Sequence, residues 1–209
     1  MTQKIYLLFC FITTIALQNS YGQSAVPKKF HSKDFNWTIT IPDNFETVSK
    51  SDWTKIQNRG QQAIEDTFDQ EIDNQSVNIF VFKNDQFNYF EACHQPFDPK
   101  IDGNYVQSCK DVNNLLYKVM QEQLPGSPID TLRTVEKIDN LEFQVFKIAQ
   151  TLPNQKTFTM IMYNRLFGKK ELAVNIMYMD EAKGKQMLSS WRNSTFLKKV
   201  PKAAIKNKK

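Results

Sequence analysis

Two late segments decide the architecture. In Phe158–Tyr163 (FTMIMY) and Leu172–Met179 (LAVNIMYM) the alternate positions on both sides of the chain are largely apolar. A strand with one wet face shows a polar row at every second residue, whereas a strand covered on both faces does not. These segments therefore belong to a sheet with a layer packed on each side. Three amphipathic helices are predicted to supply the cover. The first runs from Asp52 to about Phe68 after a Ser51 cap, with Trp53, Ile56, Ile64 and Phe68 in one stripe and Gly60 on the same side. A glycine inside a helix costs about 1 kcal/mol relative to alanine, so close packing is expected at Gly60. The second helix follows an Asp111 cap and carries Val112, Leu115, Leu116, Val119 and Met120 on one face. Leu124-Pro125-Gly126 stops it. The third follows Asp180 and carries Met187, Leu188 and Trp191.

The strands are as legible. Phe35–Pro42 (FNWTITIP) alternates, placing Trp37, Ile39 and Ile41 on one face. Val77–Phe82 is apolar on both faces. Four runs then follow in series: about Ile129 to Val135, Leu141 to Thr151, Thr157 to Phe167 and Glu171 to Met179. Asp139-Asn140, Pro153-Asn154 and Gly168-Lys169 separate them with hairpin chemistry. Such short connections favour a meander. The fold class is α+β: a mostly antiparallel sheet of five to seven strands with helices on both faces, an α/β/α sandwich.

The N-terminus reads as a secretory signal peptide. Lys4 precedes an apolar run of 13 residues, Ile5 to Leu17, too short to span a hydrocarbon core of about 30 Å. Ser20 and Gly22 are small residues at the −3 and −1 positions, so cleavage is expected after Gly22. Residues 23–34 are expected to be a flexible lead, 35–197 a single domain and 198–209 a Lys-rich disordered tail. The tail accounts for the basic balance. The whole chain has 27 Lys+Arg against 22 Asp+Glu, but residues 23–197 carry 20 basic and 22 acidic side chains. With only four arginines, Arg59, Arg133, Arg165 and Arg192, and no basic motif, nucleic acid is not an expected partner. No membrane span is expected, and the tail offers weak attraction to an anionic surface.

Cys93 and Cys109 are separated by 15 residues that also hold His94, Pro96, Phe97, Asp98, Pro99, Asp102, Gly103 and Tyr105. Adjacent Cys93 and His94 point to opposite faces of a strand, and His31 is the other histidine, so zinc is disfavoured. The acids lack the order of a calcium loop, and the cysteine spacing is not that of a redox pair. In an exported protein, two cysteines are expected to form a structural disulfide, and closing this loop contributes about 3 kcal/mol. The bridge would staple a loop flanked by aromatics. Phe97, Tyr105, Tyr89 and Phe90 are the candidate binding residues, for an unknown protein or a small apolar ligand. Padding of the core edge is the plainer role for the same rings.

Catalytic constellations are scarce. Neither histidine sits in a nucleophile motif, and there is no G-x-S-x-G. With 6 glycines and no phosphate-cradling loop, nucleotide binding is disfavoured. Glu65, Asp66, Asp69 and Glu71 read as a solvated helix end. Met160, Met162, Met177 and Met179, on alternating strand positions, read as core rather than copper ligands. No cofactor and no metal are expected.

The order strand, Trp-bearing helix, strand, helix, strand meander and final helix resembles the PsbP-like fold. FNWTITIPDNF at the start, KIDNLEFQVFKI in the meander and MLSSWRNSTF at the end carry the resemblance, which spans Phe35 to Phe196. The resemblance implies an α/β/α sandwich and a non-catalytic binding or assembly role, and it transfers no functional residue. The segment Cys93–Cys109 is an insertion relative to the plant pattern. The expected function is that of an exported, non-enzymatic binding domain in the periplasm or outside the cell. The alternatives are a secreted hydrolase using carboxylates such as Asp98 and Asp102, and a structural envelope component with a Lys-rich tail.

Overall fold

Two stacks of aromatic and aliphatic side chains lie on opposite faces of one long sheet. The computed structural model describes residues 29–69, 71 and 73–196. The expected leader, residues 23–28 of the lead and residues 197–209 lie outside the described residues. The strands are β1 (Lys29–Ser32), β2 (Trp37–Thr40), β3 (Glu46–Thr47), β4 (Val77–Asp85), β5 (Asn88–Pro96), β6 (Ile129–Ile138), β7 (Leu141–Thr151), β8 (Thr157–Phe167), β9 (Lys170–Tyr178) and β10 (Thr195–Phe196). The helices are α1 (Lys50–Phe68), α2 (Pro99–Asp102), α3 (Tyr105–Gln123) and α4 (Glu181–Arg192).

The main sheet has seven strands in the order β3-β4-β5-β9-β8-β7-β6, all antiparallel. The last four form the expected meander. Asp139 and Asn140 both take positive φ (47° and 63°) in the tight turn between β6 and β7, which short polar residues tolerate. A second, three-stranded sheet of order β1-β2-β10 stands apart from the main one. The opening strand therefore belongs to a small sheet packed over the large one, and part of the expected flexible lead forms β1.

On one face, β2, β10 and α4 cover the sheet. Trp37, Trp191 and Phe196 cluster there, with the two indoles 5.6 Å apart edge to face, over Phe90, Phe143, Tyr163 and Val174. On the other face, Trp53 and Ile64 of α1 and Leu116, Val119 and Met120 of α3 cover Phe146, Met160, Met162, Ala173 and Met177. The methionines are core wall, as expected. Burial on both faces is why the alternate positions of β8 and β9 are largely apolar.

Three boundaries differ from expectation. Ser49, not Ser51, caps α1 by accepting the Asp52 amide at 3.2 Å. Asn104, not Asp111, caps α3 by accepting the Gln107 amide at 3.1 Å, so the helix begins before Cys109. Asn88–Pro96, not among the expected strands although Cys93 and His94 are placed on extended chain, is the strand β5 between β4 and β9. Gly60 is buried in α1 as expected.

Candidate functional site

The segment holding the two cysteines is almost fully structured. Cys93 lies in mid-sheet on β5, opposite Ala173 of β9, and Cys109 lies in the second turn of α3. Both are buried and free. The expected disulfide is not formed: the two thiols sit on different elements, one on β5 and one on α3, and the helical thiol faces a buried carboxyl group. Cys109 Sγ meets Glu171 Oε1 at 4.0 Å, and Glu171 is paired in register with Gln95, one pleat beyond Cys93. The linking residues are organised by caps instead. Asp98 accepts the Lys100 amide, and Asp102 accepts the Asp98 amide at 2.7 Å. These are the two acids of the hydrolase alternative, and both hold α2 in place.

The aromatic candidates are placed largely inside. Phe90 is 0% exposed in the first core, and Phe97 is 4% exposed, edge to face with Tyr105 at 5.3 Å. Tyr89 and Tyr105 are half-buried. Phe90 and Phe97 thus present no surface to a partner, and the core-padding role describes them.

Beneath α3 lies a polar row that the sequence reading missed. On the α3 face of β5 and β9, Glu91 pairs with Asn175 and Gln95 with Glu171, and Asn175 Nδ2 donates to Glu91 at 2.9 Å. Gln95 Nε2 donates to Glu171 Oε2 at 2.6 Å, and Tyr105 Oη donates to Oε1 at 3.1 Å. Burial holds the Glu171 carboxyl above its usual range, against the lowering effect of those two hydrogen bonds. Burial, then the charge of Glu171, pushes the Cys109 thiol up to about 12 and the Tyr105 hydroxyl higher still. Thiol and phenol therefore stay protonated at neutral pH, and neither is an activated nucleophile. The sequence signal was the pair Glu171 and Asn175 on one face of the otherwise apolar run of β9.

His94 faces the opposite side of β5, its ring 5.8 Å from Phe35. Its Nε2 is 3.8 Å from Asp34 Oδ2, which Lys170 Nζ also contacts at 3.2 Å. Burial first and Lys170 second lower the His94 pKa, which favours the neutral ring. His31 is exposed and bonds to Thr38 through Nδ1. Among the described residues no three His, Cys, Asp or Glu side chains are grouped to hold a metal.

Among the described residues, an open feature lies along β4 near one edge of the sheet. A groove of about 630 Å³ runs between that edge and the first turns of α1. Phe30 of β1 forms its other wall, Trp53, Thr54 and Gln57 line the helix side, and Val77 to Phe82 line the strand side. Its origin is local. β3 pairs with β4 only at Lys83 and Phe82, and after the Val48 amide bonds to the Val81 carbonyl the chain turns into α1. The lane beside the first half of β4 is left without a strand among the described residues. Register shifts between Asn78 and Phe80 mark the same stretch as irregular, a frequent property of strand segments next to sites.

No protein-family profile matches the chain, and no curated protein matches it in sequence. Solved structures do match in shape. The solution structure of cyanobacterial PsbP (CyanoP) from Synechocystis sp. PCC 6803 aligns with a TM-score of 0.50 at 7% identity, covering 86% of this chain and 98% of that one. A crystal structure from Bacteroides thetaiotaomicron VPI-5482 aligns with a TM-score of 0.44 at 11% identity, covering 82% of this chain and 49% of that one. The fold is PsbP-like, an α+β sandwich around an antiparallel sheet. Among the described residues no helix is long and apolar enough to cross a membrane.

Proposed function

We propose that this chain is an exported, non-catalytic binding domain that holds an extended segment of a partner protein, or a small apolar ligand, in the groove between α1 and β4. The groove carries the reading. It follows a sheet edge whose lane is walled on both sides, by α1 and by Phe30. An extended peptide laid there would continue the lane begun by β3 and would gain main-chain hydrogen bonds from β4. Side-chain pockets on alternate sides would supply selectivity. Exposed Val77 and half-buried Phe30, Val48 and Ile79 give the apolar contact area, and Lys50 and Gln57 give polar contacts at the rim. The aromatics near Cys93 then support the scaffold rather than the partner.

Site-specific photo-crosslinking in the producing cell tests this. A photoreactive residue at Gln57 or Val77, both lining the groove, is expected to yield one adduct of defined mass. The same probe at exposed Glu122 on α3 is expected to yield none. Absence of an adduct from both groove positions, or the same adduct from Glu122, would overturn the assignment.

A further inference from the structure

The opposite edge of the sheet is built differently. Among the described residues β6 is its terminal strand, and its ladder with β7 runs through ten consecutive residue pairs without a shift. A long, regular, unpaired edge is a template for another strand, and proteins usually guard such edges with proline, bulges or outward charges. Here three of the four charged side chains of β6 are drawn back into their own molecule. Arg133 donates to Asn114 at 2.6 Å, Glu136 accepts from Arg192 and Tyr163, and Lys137 contacts Glu142 at 3.5 Å. Two large apolar side chains remain outside, Leu132 at 56% and Val135 at 50% exposure. Their register partners Lys147 and Gln144 put them on opposite faces of the sheet.

We infer that β6 pairs antiparallel with β6 of a second copy of this chain, across a two-fold axis at Leu132, joining two seven-stranded sheets into one. Symmetry restricts the choice. A two-fold axis perpendicular to the sheet must pass through a residue paired with itself, because side chains alternate faces. Centring on Arg133 opposes two arginines and sets Asp130 against Glu136. Centring on Val135 sets Arg133 against Lys137. Centring on Thr134 sets Leu132 against Glu136. Centring on Leu132 opposes leucine with leucine, Ile129 with Val135, Asp130 with Thr134 and Thr131 with Arg133, and no like charges meet. The backbone agrees. The Thr151 amide bonds to the Pro128 carbonyl, so even-numbered residues of β6 face β7, and Ile129, Thr131, Arg133 and Val135 point their amides and carbonyls outward. Pairing Thr131 with Arg133 and Ile129 with Val135 then makes about eight hydrogen bonds. The Leu132 pair falls in the closer, non-hydrogen-bonded position.

Sedimentation equilibrium of the exported chain over a concentration series tests the inference. The wild type is expected to show a concentration-dependent mass reaching twice the monomer. Thr131→Pro removes an outward amide that the β7 ladder does not use, and is expected to melt normally and stay monomeric. Leu132→Cys is expected to crosslink into a double-mass species under mild oxidation, while Thr134→Cys does not. A wild type that stays monomeric up to its solubility limit would overturn the proposal. So would a dimer that survives Thr131→Pro, or equal crosslinking at positions 132 and 134.

Discussion

Glu171 is the residue whose chemistry the tertiary structure most alters. Folding buries it, so its carboxyl holds a proton to higher pH than in the unfolded chain. For an acid with a raised folded pKa, the folded state binds more protons than the unfolded state between the two values. Its contribution to stability is therefore fully present below about pH 4.5 and is lost as pH rises through the folded pKa. Glu171→Gln keeps the shape and removes the titration. Thermal melts from pH 4 to 8 are expected to show the wild type losing stability with rising pH relative to this variant, and parallel curves would refute the shift. Gly184 gives a steric counterpart. A Cβ there would lie 2.7 Å from the Tyr178 ring, so Gly184→Ala is expected to cost about 1–3 kcal/mol in denaturant unfolding despite its better helix propensity. Cys93 and Cys109 are expected to be inert to thiol reagents in the native chain and to react as two thiols in denaturant. Reduction should leave the mass unchanged; a gain of about two mass units would restore the disulfide.

At the scale of elements, helices and strands announced themselves wherever one period ran uninterrupted. The apolar stripe of α1, the face of α3 from Val112 to Met120 and the four meander strands were all readable. The cap of α3 was not. Asp111 precedes the apolar run and looks like a start signal, but Tyr105 to Lys110 add a turn and a half of helix whose cap is Asn104. Asn104→Ala is expected to cost about 1 kcal/mol, and Asp111→Ala, which removes only a side-chain contact with Gln107, less than about 0.5 kcal/mol. Chemical denaturation of the two variants separates them. β5 escaped for a related reason. Its polar Glu91, His94 and Gln95 break the apolar pattern, yet each is placed by a tertiary neighbour: Asn175, Asp34 and Glu171.

Across the whole molecule, double-sided burial of β8 and β9 required covering layers on both faces, and the sequence by itself determined that much. It determined the α+β class, the meander and the core role of the methionines, because period and turn chemistry are local properties. Tertiary structure alone decided the rest. It moved the opening strand into a separate sheet with β10, since pairing between residues near positions 38 and 195 leaves no local trace. It left Cys93 and Cys109 as buried thiols on a strand and a helix, a placement that their sequence spacing does not report. It drew Phe90 and Phe97 inside, and it opened the groove at β4 because β3 ends after two residues. Burial, register and the ends of strands depend on which distant segments meet, and that is fixed only when the layers pack.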